Sequence, residues 1–234
     1  MNKKKKLIIF GLEDFANIAY EYFTFDSHYD VVGFTVNKKY IRAYKHLNLP
    51  VYPFEDIENK FNPKNFEIFI AIVYGNLNET RESVYQQCRS KGFKLASYIS
   101  SKSFVWKNVK YGQNCFIFED NTIQPYVKIG NNVVLWSGNH IGHHTSIEDN
   151  VFVSSHVVIS GNCKIGKNCF IGVNSTLANE TSIGSHCWIS HGSILNGEMP
   201  NNCVTTANKS EVKQLNKKAL FKVLNSISNK RNPK

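Results

Sequence analysis

The strongest constraint on this chain is a six-residue period. Stepping by six from Val105 meets Tyr111, Ile117, Ile123, Ile129, Leu135, Ile141, Ile147, Val153, Ile159, Ile165, Ile171, Leu177, Ile183, Ile189 and Leu195. These are sixteen consecutive positions, fifteen of them aliphatic. Glycine often follows the aliphatic, as at Gly130, Gly142, Gly166, Gly172 and Gly184. A second column lies four residues after each aliphatic, running from Val109 through Cys115, Thr145, Cys163 and Ser175 to Met199, and most of its members are small or β-branched. A fixed period held over so long a stretch marks a repeat architecture.

The two columns resemble the hexapeptide repeat of left-handed parallel β-helices. In such folds three hexapeptides, roughly eighteen residues, make one triangular coil, with the large aliphatic inward and the small residue near a corner. The repeat therefore predicts a little over five coils. It also places Cys115, Cys163, Cys169 and Cys187 in the small-residue column, inside the prism, as small hydrophobes. None of the six cysteines, Cys88 and Cys203 included, forms a CxxC pair, so the sequence suggests neither a zinc ribbon nor a thioredoxin motif.

Residues 1 to 98 read differently. "LIIFGL", "VVGFTV", "FEIFIAIVYG" and "KLASYI" are apolar strand candidates. Between them lie helical segments: "EDFANIAYEYF", with Phe15, Ile18, Ala19 and Tyr22 on one stripe, and "NETRESVYQQCRSKG". Alternation of this kind predicts a small parallel α/β domain. Its first turn, "GLEDFAN", carries only Gly11 of a dinucleotide fingerprint and adds Glu13 and Asp14. That acidity suits a helix N-terminus but repels phosphate, which argues against NAD. The turn either holds a nucleotide sugar at the carboxyl ends of the strands or merely reverses the chain. Gly11 and Asn37 are the candidate substrate-binding residues there.

A formal charge of +10 on 234 residues suggests phosphate-bearing ligands or simply a solvated lysine-rich surface. Much of the charge sits in Lys3 to Lys6 and between Lys209 and Lys234. No apolar run approaches the length that spans a bilayer. The charged start followed by a short apolar stretch lacks the features of a signal peptide, so the expected location is cytoplasmic. The expected divisions are 1–98 for the α/β domain, 99–207 for the β-helix, and 208–234 for a basic tail. In that tail Val212, Leu215, Ala219, Leu220, Val223, Leu224 and Ile227 share a helical stripe. The stripe is expected to dock on its own domain or a sister subunit, with contact to an anionic membrane surface as the alternative.

An α/β front domain followed by a hexapeptide β-helix resembles bacterial sugar acyltransferases of the bacillosamine-pathway N-acetyltransferase and sialic acid O-acetyltransferase type. The resemblance covers nearly the whole chain. It implies a homotrimer in which acetyl-CoA, the co-substrate, lies along the β-helix between subunits. The front domain would hold a nucleotide-linked amino sugar. The segments "IGHHTSIED" and "KIGKNCFIG" place the family's catalytic base on His143. The acidic residue that usually follows the base is replaced by His144, and Glu148 or Asp149 is the candidate carboxylate in its stead. The resemblance gives the Gly161 amide the oxyanion role and puts Gly161, Gly172, Ser175 and Ala178 beside acetyl-CoA. The family's "GxPAK" ending is missing.

Residues eighteen apart stack on adjacent coils, so Gly161 falls on the rung next to His143 and leaves room beside the imidazole. A base and an oxyanion donor on neighbouring rungs are what acyl transfer needs. His140 and His156 support the site or face an interface or solvent; the same holds for His144. His186 and His191 read as surface. No metal and no nucleic-acid partner are expected. The alternatives to an N-acetyltransferase are O-acetylation of a sugar hydroxyl, a γ-carbonic-anhydrase-like zinc site built from histidines of two subunits, and a noncatalytic binding protein that kept the fold.

Overall fold

The structure, a computed structural model, describes residues 5–206 and 214–222. Its front part is built from β1 (Lys5–Phe10), α1 (Asp14–Phe25), β2 (Tyr29–Val36), β3 (Lys45–His46), β4 (Leu49–Pro53), α2 (Ile57–Lys60), β5 (Phe66–Ile70), α3 (Glu79–Ser90) and β6 (Lys94–Leu95). The sheet order is β3-β4-β2-β1-β5-β6, and every pairing is parallel except the β3–β4 hairpin. β1 is continuously apolar because both faces are covered. Leu7 and Ile9 pack towards α1, with Phe15, Ala19 and Phe23, whereas Ile8 and Phe10 pack towards α3, with Val84, Tyr85 and Cys88.

Two local expectations change. "KLASYI" is not one strand: Lys94–Leu95 closes the front sheet, and Tyr98–Ile99 already belongs to the first coil. The β3–β4 hairpin carries no Gly, and its turn places Leu47 and Asn48 at positive φ of 45° and 64°, which concealed it in the sequence.

From Tyr98 onward the chain forms a three-sided parallel β-helix, left-handed as the hexapeptide pattern predicts. Each side holds six two-residue strands, making six coils where the repeat predicted a little over five. The register extends back to Ile99, and the last coil is shortened, so that Glu198–Met199 pairs with Ser182–Ile183 across sixteen residues rather than eighteen. Both sequence columns line the prism core, and Cys115, Cys163, Cys169 and Cys187 are fully enclosed there. Burial pushes the Cys115 thiol up to about 11 and that of Cys169 to about 12, as expected for inert core thiols.

The three sides differ. One carries outward Tyr98, Phe116, Val134, Phe152, Phe170 and Trp188, and it is covered by the front domain. Phe15 and Phe23 of α1 meet Phe116 edge-on, and Tyr74 packs on Phe170. The second side presents Phe104, Thr122, His140, Val158, Thr176 and Ile194, with Phe104 54% and Ile194 83% exposed. The third presents Lys110, Lys128, Ser146, Lys164, Ser182 and Glu198.

At the corner between the third and first sides, Asn114, Asn132, Asn150 and Asn168 all adopt positive φ, a conformation Asn tolerates better than most residues. Their buried amides donate up the stack, Asn114 to Asn132 (2.8 Å), Asn132 to Asn150 (2.8 Å) and Asn150 to Asn168 (3.3 Å). The ladder ties to the front domain at both ends: Asn114 accepts from the Ile70 amide, and Asn168 donates to Glu82. Beside it the fully buried Arg81 donates to Asn78 and to the carbonyls of Asn150 and Val151, and desolvation lowers its pKa to about 9.

Residues 203–205 add a short strand beside the last rung of the covered side. Trp188 N–H donates to Cys203 O (2.9 Å), and Thr205 N–H donates to Trp188 O (3.0 Å). Residues 217–222 are helical. Of the expected tail stripe, Val212, Val223, Leu224 and Ile227 lie outside the described residues. Leu215 and Leu220 are exposed, and Ala219 is half-buried.

Candidate active site

The corner between the second and third sides is formed by residues 124–127, 142–145, 160–163 and 178–181 on successive coils. His143 and His144 sit here, and both are exposed. The imidazole of His143 lies flat on Gly161: a Cβ built on Gly161 would fall 2.7 Å from Cε1 and 2.8 Å from Nε2. Only glycine leaves that space open. The backbone of His143 is fixed from both sides, its N–H donating to Gln124 Oε1 (2.9 Å) and its carbonyl accepting from Asn162 N–H (2.9 Å). Thr145 staples the Gly161 corner to the His143 corner, donating to Ser160 O (2.9 Å) and accepting from Cys163 N–H (3.2 Å).

The two ring nitrogens of His143 differ. Nδ1 meets His144 Nδ1 at 3.1 Å, whereas Nε2 has no protein partner among the described residues. The Gly161 amide also donates to no protein acceptor among them. At the same hexapeptide position on the corner between the third and first sides, such amides are capped by a side chain from the next coil: Gln113 by Asn131, Asn131 by Asp149, and Ser185 by Asn201. A free imidazole lone pair and a free amide N–H side by side can remove a proton from a nucleophile and receive the oxyanion it creates.

The other expected residues fall as follows. Asp149 caps the Asn131 amide (2.6 Å) at the next corner, and Glu148 lies beside it, so neither carboxylate reaches His143. Ala178 shares the His143 corner. Gly172 and Ser175 lie at the corner across the apolar second side. Ser175 is fully enclosed, its hydroxyl donating to Ser190 O (3.0 Å), because it belongs to the inward small column; it presents nothing to an external ligand. His156 also lies at that far corner, its ring resting on Gly138 as His143 rests on Gly161. His140 is half-buried on the second side. Gln124, Tyr126 and Thr145, which position the histidines, went unnoticed in the sequence. Tyr126 lies eighteen residues before His144, and Gln124 eighteen before Gly142, so the coil step applied backward finds both; Thr145 belongs to the inward small column.

A second concave feature lies wholly in the front domain. A cavity of about 1050 Å³ opens at the carboxyl ends of β1, β2 and β5. Gly11 and Asn37 both line it, as do the acidic Glu13 and Asp14 and the basic Lys39, Arg42 and Lys45. Gly11 has φ of 134°, and a Cβ there would lie 2.8 Å from Ala71 O, so this turn needs glycine for its conformation and its close approach. His46 faces the same cavity. It meets Asn17 Oδ1 at 2.6 Å, and its burial lowers its pKa despite the nearby Glu13. Among the described residues no group of three or more His, Cys, Asp or Glu is arranged to hold a metal, and no helix is long and apolar enough to cross a membrane.

Residues 144–179 match the bacterial transferase hexapeptide family (six repeats), and residues 163–196 match the hexapeptide repeat of succinyl-transferase. The coil is therefore a hexapeptide-repeat β-helix. The whole two-part architecture recurs in solved structures. The acetyltransferase domain of PglB from Neisseria gonorrhoeae FA1090, in complex with acetyl coenzyme A, superposes with a TM-score of 0.76 at 19% identity, over 86% of this chain and 95% of that one. PerB from Caulobacter crescentus, in complex with CoA and GDP-perosamine, gives 0.75 at 17% identity, over 85% and 92%. WeeI from Acinetobacter baumannii AYE gives 0.65 at 15%, over 85% and 94%. At such identities the likeness establishes the fold. No curated protein matches the sequence.

Proposed function

We propose that this protein is an acetyl-CoA-dependent acetyltransferase that acylates the amino group of a nucleotide-linked sugar for surface glycan synthesis. The observation that carries the reading is the His143–Gly161 pair, with Nε2 and the Gly161 N–H both open. Repeats of the transferase type and the sugar- and CoA-bound neighbours of the same fold support it. In the step we envisage, the acceptor amine attacks the thioester carbonyl while Nε2 of His143 takes its proton. The oxyanion accepts a hydrogen bond from Gly161 N–H. The C–S bond then breaks, and the departing thiolate takes up the proton.

The front cavity is assigned to the nucleotide sugar. Lys39, Arg42 and Lys45 suit a diphosphate better than the acidic start of α1 does. This assignment calls for more than one copy of the chain. The front domain covers one side of the prism, and His143 lies at the corner opposite that side. Cavity and base thus belong to different parts of one chain, the cavity to the front domain and the base to the far corner of the coil. A homotrimer packed through the exposed apolar side, with Phe104, Val158 and Ile194, brings the base of one copy towards the cavity of the next. Such an enzyme would work in the cytoplasm, where acetyl-CoA and nucleotide sugars are found.

The test is CoA release from acetyl-CoA by the purified protein, over nucleotide sugars with and without a free amine. Turnover of an amino sugar that disappears in His143→Ala is expected. Turnover confined to hydroxyl acceptors would convert the reading to O-acetylation, and loss of activity to a chelator would revive the zinc alternative.

A further inference from the structure

We propose that His144 is the positioning residue of the base: by accepting a hydrogen bond from Nδ1 of His143, it holds that ring in the tautomer whose Nε2 is bare. This inference rests on the assignment of His143 as the base and names what orients it where no carboxylate does.

Three independent contacts place His144. Its backbone is left-handed, with φ of 59°, as at every αL corner of the coil, and its N–H donates to Pro125 O (3.1 Å). Its ring stacks on Tyr126, one coil below, with centroids 4.6 Å apart and planes 23° apart. That stack turns the His144 ring nearly perpendicular to the His143 ring, at 84°, and aims Nδ1 at Nδ1 over 3.1 Å. The groups that face the pair are Gln124, Pro125 and Tyr126 below and Gly161 and Asn162 above. Among the described residues no charged side chain hydrogen-bonds or ion-pairs with either ring.

A bond between two Nδ1 atoms needs one proton, neither two nor none. If His144 supplied it, the neutral His143 would carry its own proton on Nε2, which could not then take the proton of the nucleophile. If His143 supplies it, Nε2 keeps its lone pair above Gly161, and His144 stands with its proton on the outer Nε2, where water can accept it. When Nε2 of His143 then takes the proton of the nucleophile, the ring becomes an imidazolium that still donates from Nδ1, and a bond from a charged donor is the stronger kind. The neutral acceptor ring thus does the work of a carboxylate without adding negative charge. The device fails once His144 is itself protonated, because two donors then face each other.

The experiment reads the ring nitrogens of His143 by ¹⁵N NMR in the purified full chain without substrate, together with steady-state kinetics. At pH 8 the wild-type protein is expected to show Nδ1 of His143 protonated and Nε2 bare. His144→Phe, which keeps an aromatic ring against Tyr126, should lose that preference. Its kcat should fall by roughly ten- to a hundred-fold, the range typical of groups that orient an imidazole, with KM for acetyl-CoA unchanged. His144→Gln, whose amide oxygen can accept from Nδ1, should restore the tautomer and most of kcat. A wild-type His143 protonated on Nε2, or a His144→Phe enzyme with wild-type kcat, would overturn the proposal. Turnover that survives His143→Ala would instead remove the base assignment, while the NMR result would still report on the pair.

Discussion

The imidazole of His143 occupies the space into which Gly161 would project a side chain, with Cε1 2.7 Å from the Cβ that an alanine would carry. Gly161→Ala is therefore expected to push the ring off the corner without disturbing the coil, since the ring is at the surface and can swing away. Displacement of a base by an ångström costs on the order of a hundred-fold in rate. We expect kcat to fall by about that factor while unfolding stability stays within about 0.5 kcal/mol, the usual range for surface changes. Paired kinetic and urea-unfolding measurements check it.

The seam between α1 and the coil is expected to weaken in acid. Burial would raise the pKa of Asp26, but hydrogen bonds from the Tyr98 hydroxyl (2.5 Å) and the Ser101 amide (2.9 Å) outweigh it and hold the carboxyl below its usual value. Glu119 behaves alike: burial pulls it up, and the hydroxyls of Ser137 (2.6 Å) and Tyr22 (2.7 Å) pull it further down. Folded values below the unfolded ones of 3.8 and 4.5 mean stabilisation that is present above those values and lost as pH falls through the folded ones. Urea midpoints should therefore decline below about pH 4.5, and the double variant Asp26→Asn, Glu119→Gln should show a shallower decline.

Asn150 combines a left-handed backbone, with φ of 64°, and two rungs of the buried amide ladder. Asn150→Ala removes both and leaves Asn132 and Asn168 short of a partner. Unpaired buried amides and the left-handed penalty together suggest a loss of about 2–4 kcal/mol, measurable by chemical denaturation. Asn162→Ala, at an exposed corner with φ of 59° and no ladder, should lose only the backbone part, about 1 kcal/mol.

Lys39, Arg42 and Lys45 border the front cavity and are exposed. Replacing Lys39 and Arg42 together by Gln should raise KM for the nucleotide sugar, by roughly fivefold per charge if each contributes about 1 kcal/mol, and should reduce its dependence on salt. KM for acetyl-CoA should not move. An unchanged nucleotide-sugar KM would place the diphosphate elsewhere.

The coil was legible because its determinant is a strict count: Ile117 through Leu195 can all point inward only if every sixth residue returns to the axis. His143 and Gly161 followed from the same count. The docking of the front domain did not, although the residue before each inward aliphatic spells it out as Phe116, Val134, Phe152, Phe170 and Trp188. An outward apolar column reads as surface until something is seen to cover it. Nor did the role of Asp149, since a carboxylate six residues after a histidine looks near it, whereas one turn of the triangle sends it to another corner. Ser175 was misjudged for the reverse reason: its membership of the inward column already enclosed it. Arg81 was invisible because a buried arginine on an otherwise polar helix has no local signature.

The segment Cys203–Thr205 along Trp188 has a consequence for assembly. A stack of identical rungs has no intrinsic length, because each rung ends in the same row of donors and acceptors that began it. Copies exposing such ends would grow on one another into filaments. Here the first rung runs directly on from the front sheet through Leu95 and Tyr98, and the last meets a strand of its own chain on the covered side. The chain thus caps its own last rung on that side, one of the three.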